Sequence, residues 1–315
     1  MPTYSGSDTQ SRREMAGSQC RAKRRKPAQR DWFLCWLIPI LLFVLIWQVL
    51  PIVSSFLLSF TDYRTGGRLI DIGWIGLQNY LLCFRDPVFR EALRNTLVFA
   101  AVGAPIKNLL AMLIAQLLFT MKRGSGFFRT AAFLPVITPP LATILLFQYL
   151  YHFQYGALNQ LLLGLGLGRV PWLTSAVWVK PSLILLVIWN SLGYPTIILL
   201  AGLGTIPEVL GEAARIDGAN NWQSFWRITW PLMRRPLAFV FVTDSINWLQ
   251  LFTEPQVLTQ GGPAYHSLTA VMLIRDVGLT EFRGGAASAL AFVLFAVVLA
   301  LTLAQLRFFR TEWEY

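Results

Sequence analysis

Hydrophobic side chains fill six long stretches of this chain, separated by shorter polar segments. The stretches lie near Phe33–Phe60, Asn95–Thr120, Arg129–His152, Trp178–Leu203, Leu237–Leu258 and Gly285–Arg307. Each reaches the roughly 20 residues a helix needs to cross a hydrocarbon core. Lipid offers no partner for a free backbone N–H or C=O, so each is expected to be a helix. The first is too long for the apolar part of a signal peptide, and no small-residue cleavage site follows it. The pattern predicts an all-α membrane protein with six transmembrane helices.

Composition agrees. Of 315 residues, 55% are hydrophobic and 14% charged, with a mean hydropathy of +0.52. A soluble domain carries roughly 25% charge. The 27 Lys and Arg outnumber the 16 Asp and Glu, giving +11. In a soluble protein that excess would suggest nucleic acid; here its distribution sets orientation instead. Seventeen of the basic residues fall in residues 1–31, the second-to-third connection, the fourth-to-fifth connection and the tail, against nine on the other side. The positive-inside rule then puts both termini in the cytoplasm. Residues 1–31 read as a basic, disordered tail, and 32–315 as the membrane domain. Cys20, Cys35 and Cys83, and likewise His152 and His266, are too scattered to form a metal site or disulfide framework.

The cytoplasmic stretch 204–236 is too long for a tight turn. A helix-forming run, Val209 to Ile216, stops at Gly218, and a second amphipathic run covers Trp222 to Ile228 before Pro231. Two short helices joined at a glycine can dock in a partner's groove; they can equally lie on lipid.

Ionisable groups inside spans cost roughly 2.5–3.5 kcal/mol on insertion scales, so each is a functional candidate. Asp244, Asn247, Trp248 and Leu251 recur at i, i+3, i+4 and i+7 of the fifth span, on one helical face. A carboxylate and an amide suit sugar hydroxyls, and an indole suits the C–H face of a pyranose. A polar seam bonded to neighbouring helices is the other reading. Lys107, in the second span, has no clear partner in the sequence and is expected to snorkel or pair. Pro195 either kinks the fourth span beside a pathway or is the ordinary proline of a membrane helix.

Glu212-Ala213-Ala214, Gly218, Ile228 and Trp230-Pro231 resemble, in residue type and spacing, the EAA loop of permease subunits of ATP-binding-cassette (ABC) importers; the family usually has Leu at Trp230. Further stretches resemble the carbohydrate branch, relatives of the maltose and glycerol-phosphate permeases. They are Leu57–Tyr63, Trp74–Tyr80, Asp86-Pro87 through Thr96, Phe127–Thr130 with Leu134-Pro135, and Leu258–Pro263. The resemblance implies a type I ABC-importer permease fold with a cytoplasmic coupling-helix loop. It implies coupling residues Glu212, Ala213, Ala214, Gly218, Ile228 and Pro231, with Glu212 as a charged contact. It implies a solute pathway at Leu192, Gly193, Thr196, Asp244, Asn247, Trp248 and Leu251, although its chemistry differs from the maltose permease.

No G-x-x-x-x-G-K-[ST] phosphate loop occurs in the chain. The chain itself is therefore expected to be no enzyme and to hold no cofactor, with ATP and Mg on a partner ATPase. The implied partners are a second, homologous permease in a heterodimer, an ABC ATPase dimer, an extracytoplasmic solute-binding protein and the bilayer, with no nucleic acid. Sugar is the expected cargo in a bacterial or archaeal inner membrane. Glycerol phosphate, a polyamine or another small polar solute is the alternative. An ion-coupled secondary transporter would need inverted repeats and several intramembrane charges. No repeat is evident, and Lys107, Asp244 and Glu254 are the clear candidates.

Overall fold

The computed structural model describes residues 28–67, 72–121 and 124–309. Most of the basic tail 1–31, together with Arg68, Lys122, Arg123 and Arg310, lies outside the described residues. The chain divides into two units, one ending at Ser54 and one running from Ser55. The first holds α1 (Ala28–Val44), a π-helical stretch Leu45–Val49, and the start of α2 (Leu50–Leu58). From Trp36 onward its apolar side chains are almost all exposed.

The second unit continues with α3 (Gln78–Arg85), α4 (Pro87–Thr120), α5 (Ser125–Ile137), α6 (Pro140–Leu150), α7 (Ala157–Gly164), α8 (Val179–Ser191) and α9 (Gly193–Gly204). Then come α10 (Glu208–Ile216), α11 (Asn221–Ser224), a π turn Phe225–Thr229, α12 (Trp230–Leu232), α13 (Arg234–Leu249), α14 (Thr253–Leu258), α15 (Ala270–Arg275), a second π turn Asp276–Thr280, and α16 (Gly284–Phe308). No named strand occurs among the described residues.

Among the described residues, three helices are long and apolar enough to cross a membrane: Trp36–Leu58, α4 and α16. Counting each of two bent pairs as one span raises this to five. The expected third and fourth spans are thus broken. α5 and α6 meet at 95° around Thr138-Pro139, and α8 and α9 at 52° around Leu192. Pro195 explains the second break: it has no N–H for the carbonyl four residues back, Ser191, where α8 ends. The expected fifth span is α13 and α14, separated by Gln250–Phe252. The expected second span starts eight residues early, because Asp86 caps the helix by accepting from the Val88 N–H at 2.8 Å and Pro87 takes the first helical position.

α4 is the axis of the second unit. Its buried positions recur every three or four residues, through Ala92, Asn95, Thr96, Phe99, Gly103, Ala104, Lys107, Asn108, Ala111 and Ala115. Apart from Phe99, these are small or polar. The outward positions Leu97, Val102, Ile106, Leu109, Leu113 and Leu117 are large and apolar. A water-soluble helix would reverse that arrangement; small and polar residues at the helix contact with bulky aliphatics outside suit lipid. α4 contributes to all three buried clusters: Phe99 and Ala104 to one, Phe89 and Ala92 to another, Ala111 and Met112 to the third. Side chains of α4 also tie down distant backbone. Asn95 donates to the Tyr265 and Leu268 carbonyls at 2.7 and 3.0 Å, and the Thr96 hydroxyl accepts the Ala270 N–H at 2.9 Å.

Candidate functional site

The loop between α9 and α13 has the two-helix form expected from its sequence. α10 ends in a Schellman motif: the Gly218 N–H donates to the Arg215 carbonyl at 3.1 Å and the Ala219 N–H to the Ala214 carbonyl at 2.9 Å. That closure needs a left-handed residue, and Gly218 sits at φ +80°. Asn220 opens the second helix with a capping box. Its side chain accepts the Gln223 N–H at 2.8 Å, and the Gln223 side chain accepts the Asn220 N–H at 3.0 Å.

Ala213, Ala214, Gly218 and Ile228 line one cleft of about 530 Å³, with Leu210 and Arg227 beside them. Glu212 is exposed on α10, while Pro231 lies beyond the π turn in α12 and does not line that cleft. Around the loop Val209, Ile216 and Trp222 are 69%, 86% and 69% exposed. Such apolar exposure on short amphipathic helices marks a surface made to be covered.

The residues assigned to a solute pathway divide into four environments. Leu192 packs at the edge of the same apolar cluster as Trp248 and Leu251, so these three come together. Gly193 and Thr196 instead line a small cavity of about 200 Å³ with Arg129 and Phe133. Gly193 is required there, since a Cβ would stand 2.7 Å from the Ala132 carbonyl oxygen. The Thr196 hydroxyl donates to the Leu192 carbonyl at 2.7 Å, beside the Thr196 N–H, which reaches the same oxygen at 3.3 Å. Asn247 is exposed.

Asp244 is buried, and both of its oxygens are occupied. Oδ1 accepts from Lys107 Nζ at 2.8 Å and Oδ2 from Asn108 Nδ2 at 3.1 Å. The two charged side chains are 5% and 4% exposed. Lys107 therefore has the partner that its own surroundings in the sequence did not supply. One turn along, the Trp248 ring lies on Gly103, where a Cβ would approach ring carbons to 2.5 Å. Gly103 and Asn108 were missed by sequence reasoning. The signal available was a lone lysine and a lone aspartate in two different spans.

Among the described residues, no group of three or more His, Cys, Asp or Glu is placed to hold a metal ion. The loop exposes apolar side chains and the α4–α13 contact buries an ion pair, and neither brings together a nucleophile and a base.

Comparison with known proteins gives this arrangement a family. Residues 107–311 match the model of the binding-protein-dependent transport system inner membrane component. The lactose transport system permease protein LacF of Rhizobium radiobacter is 34% identical over 275 residues, covering 84% of this chain and 91% of its own. The sulfoquinovosyl glycerol transport system permease protein SmoG of Agrobacterium fabrum is 34% identical over 242 residues, covering 76% and 78%. Among solved structures, a bacterial alginate ABC transporter in complex with an alginate pentasaccharide-bound periplasmic protein superposes with a TM-score of 0.77 at 26% identity, covering 91% of this chain and 97% of its own. These relatives are transport components rather than enzymes. The chain belongs to the binding-protein-dependent transport system inner membrane components, the permease subunits of ABC importers.

Proposed function

We propose that this permease carries a sugar or oligosaccharide inward, as one of two similar permeases that enclose the pathway. An ABC ATPase dimer, holding ATP and Mg, sits below it, and an extracytoplasmic binding protein delivers the solute from above. In this reading the chain crosses the inner membrane six times with both termini in the cytoplasm. α13 and α14 supply the fifth crossing.

The observation that carries the coupling role is the α10–Gly218–α11 loop. Its glycine-closed turn and exposed Glu212, Val209, Ile216 and Trp222 form a surface suited to an ATPase cleft. Work done by nucleotide closure then enters at Glu212, Ala213, Ala214, Gly218 and Ile228 and passes Pro231 into α13. Nucleotide can shift the permease between inward-open and outward-open only if the ATPases bind the two states differently. The cargo assignment rests on LacF, SmoG and the alginate transporter, whose names all specify carbohydrate or a glycoside.

Within the pathway, exposed Asn247 is the residue of the α13 face best placed to meet a sugar hydroxyl. Leu192, Trp248 and Leu251 form the apolar wall behind it, and Gly193 and Thr196 shape the break in the fourth crossing. The test is ATP hydrolysis by the reconstituted complex, with its binding protein, across sugars, polyols, glycerol phosphate and polyamines. Stimulation by a saccharide supports the assignment. Stimulation confined to glycerol phosphate or a polyamine moves the cargo to that class.

A further inference from the structure

Two contacts, one turn apart, join α4 to α13. Gly103 and Lys107 stand at i and i+4 of one helix, and Trp248 and Asp244 at i+4 and i of the other, so the pairs Gly103–Trp248 and Lys107–Asp244 run antiparallel. The two are different in kind. The indole needs a position without a Cβ, and the carboxylate needs a cation. Sliding α13 by one turn in either direction would part Asp244 from Lys107, and a buried charge without its partner is costly in a low-dielectric joint.

The pair does not earn its place by stability alone. Buried ion pairs replaced by apolar residues of similar volume are often as stable or more so, and the best-attested use of such a group is to fix register. Farther along, Ala111, Met112 and Ala115 of α4 share a buried cluster with Val240 of α13, and such apolar side chains carry no charge or polar group that would single out one offset. Asn108 completes the joint: it supplies the second donor to Asp244, and its own amide donates to nothing else apart from the Ala104 carbonyl at 2.8 Å.

We infer that Lys107 is a positioning residue of the transport pathway: by holding Asp244 it sets the register and rotation of α13 on α4, which turns Trp248 inward and leaves Asn247 open. This rests on the pathway reading above for its consequence, but not for its geometry. It also reassigns the buried carboxylate, from direct solute contact to alignment of the residues that make it. α13 begins at Arg234, directly after the coupling loop, so movement entering there reaches α4 through this joint.

The test uses the full reconstituted complex, with Cys20, Cys35 and Cys83 replaced by Ser and spin labels at exposed Leu109 and Phe239. Three chains are compared: the parent, Lys107→Met/Asp244→Leu, and the exchanged pair Lys107→Asp/Asp244→Lys. In the apolar pair the label distance is expected to broaden or move by up to ~5.4 Å, one helical turn. The sugar concentration for half-maximal ATPase stimulation should rise about tenfold or more, the equivalent of ~1.4 kcal/mol. The exchanged pair should restore the single distance and bring that concentration back to within about threefold of the parent. An apolar pair with parental distance and parental sugar response overturns the inference. So does an exchanged pair with parental distance but lost sugar response, which would make Asp244 itself a solute contact. If no sugar stimulates the parent complex, the cargo reading fails while the distances still decide the register.

Discussion

Gly218 is where a single methyl group should separate ATP hydrolysis from transport. The residue stands at φ +80°, and an added Cβ would meet nothing within 4 Å. Any effect of substitution must therefore come from the backbone and not from a clash. An L-residue in the left-handed region costs roughly 1–2 kcal/mol. At nine residues, α10 is shorter than a helix that persists on its own, so its shape depends on this closure and on packing. If each cycle requires the closed turn, that cost lowers the productive fraction about 5–30-fold. Gly218→Ala is expected to cut uptake in proteoliposomes by that factor relative to ATP hydrolysis, with normal membrane insertion. Gly218→Asn should lose less, since asparagine visits this region readily, and Gly218→Val should lose more because a β-branched residue is a true outlier there. A Val variant that couples as well as the parent, or an Asn variant as defective as Val, would refute the reasoning.

Gly103→Ala should destabilise the folded chain by about 1–3 kcal/mol, the usual cost of overpacking a filled contact, because the new methyl would fall 2.5 Å from the Trp248 ring. A thermal melt of the purified protein, which should fall, checks it; an unchanged melting temperature would mean that the ring can move aside. Cys83, buried on α3, has its thiol pushed up to about 11, chiefly by burial. Thiolate is the reactive form, so maleimide labelling at Cys83 should be negligible at pH 7 and rise only as pH approaches 11. Rapid labelling at pH 7 would show the site to be open.

Local order was written plainly in the sequence around the loop 204–236. The run from Val209 to Ile216, the stop at Gly218 and the restart near Trp222 are local signals, and the structure has α10, a left-handed Gly218 and α11 in those places. Hydropathy located every apolar stretch but not its continuity. The 95° bend between α5 and α6 falls at Thr138-Pro139-Pro140 and the gap between α13 and α14 at Gln250–Phe252, inside stretches whose overall hydropathy reads as one span. Pro195 announced the third break, displaced by the four-residue reach of the hydrogen bond it cannot make.

The α4–α13 contact was legible in residue type and not in pairing. Periodicity put Asp244, Asn247, Trp248 and Leu251 on one face, yet a face of that width has edges: Asp244, Trp248 and Leu251 are buried and Asn247 is exposed. The partner of Asp244 is 137 residues away, a separation that no local pattern encodes. Charge conservation inside the membrane was the usable clue, since a lone Lys107 and a lone Asp244 in separate spans each need a counter-ion.

The most direct measurement is site-specific crosslinking from the coupling loop in the assembled importer. A photoreactive residue at Ile216, 86% exposed at the end of α10, is expected to link to the ATPase subunit, with a yield that changes when ATP is bound. Crosslinks only to lipid or to the extracytoplasmic binding protein, with none to an ATPase in either nucleotide state, would contradict the coupling role.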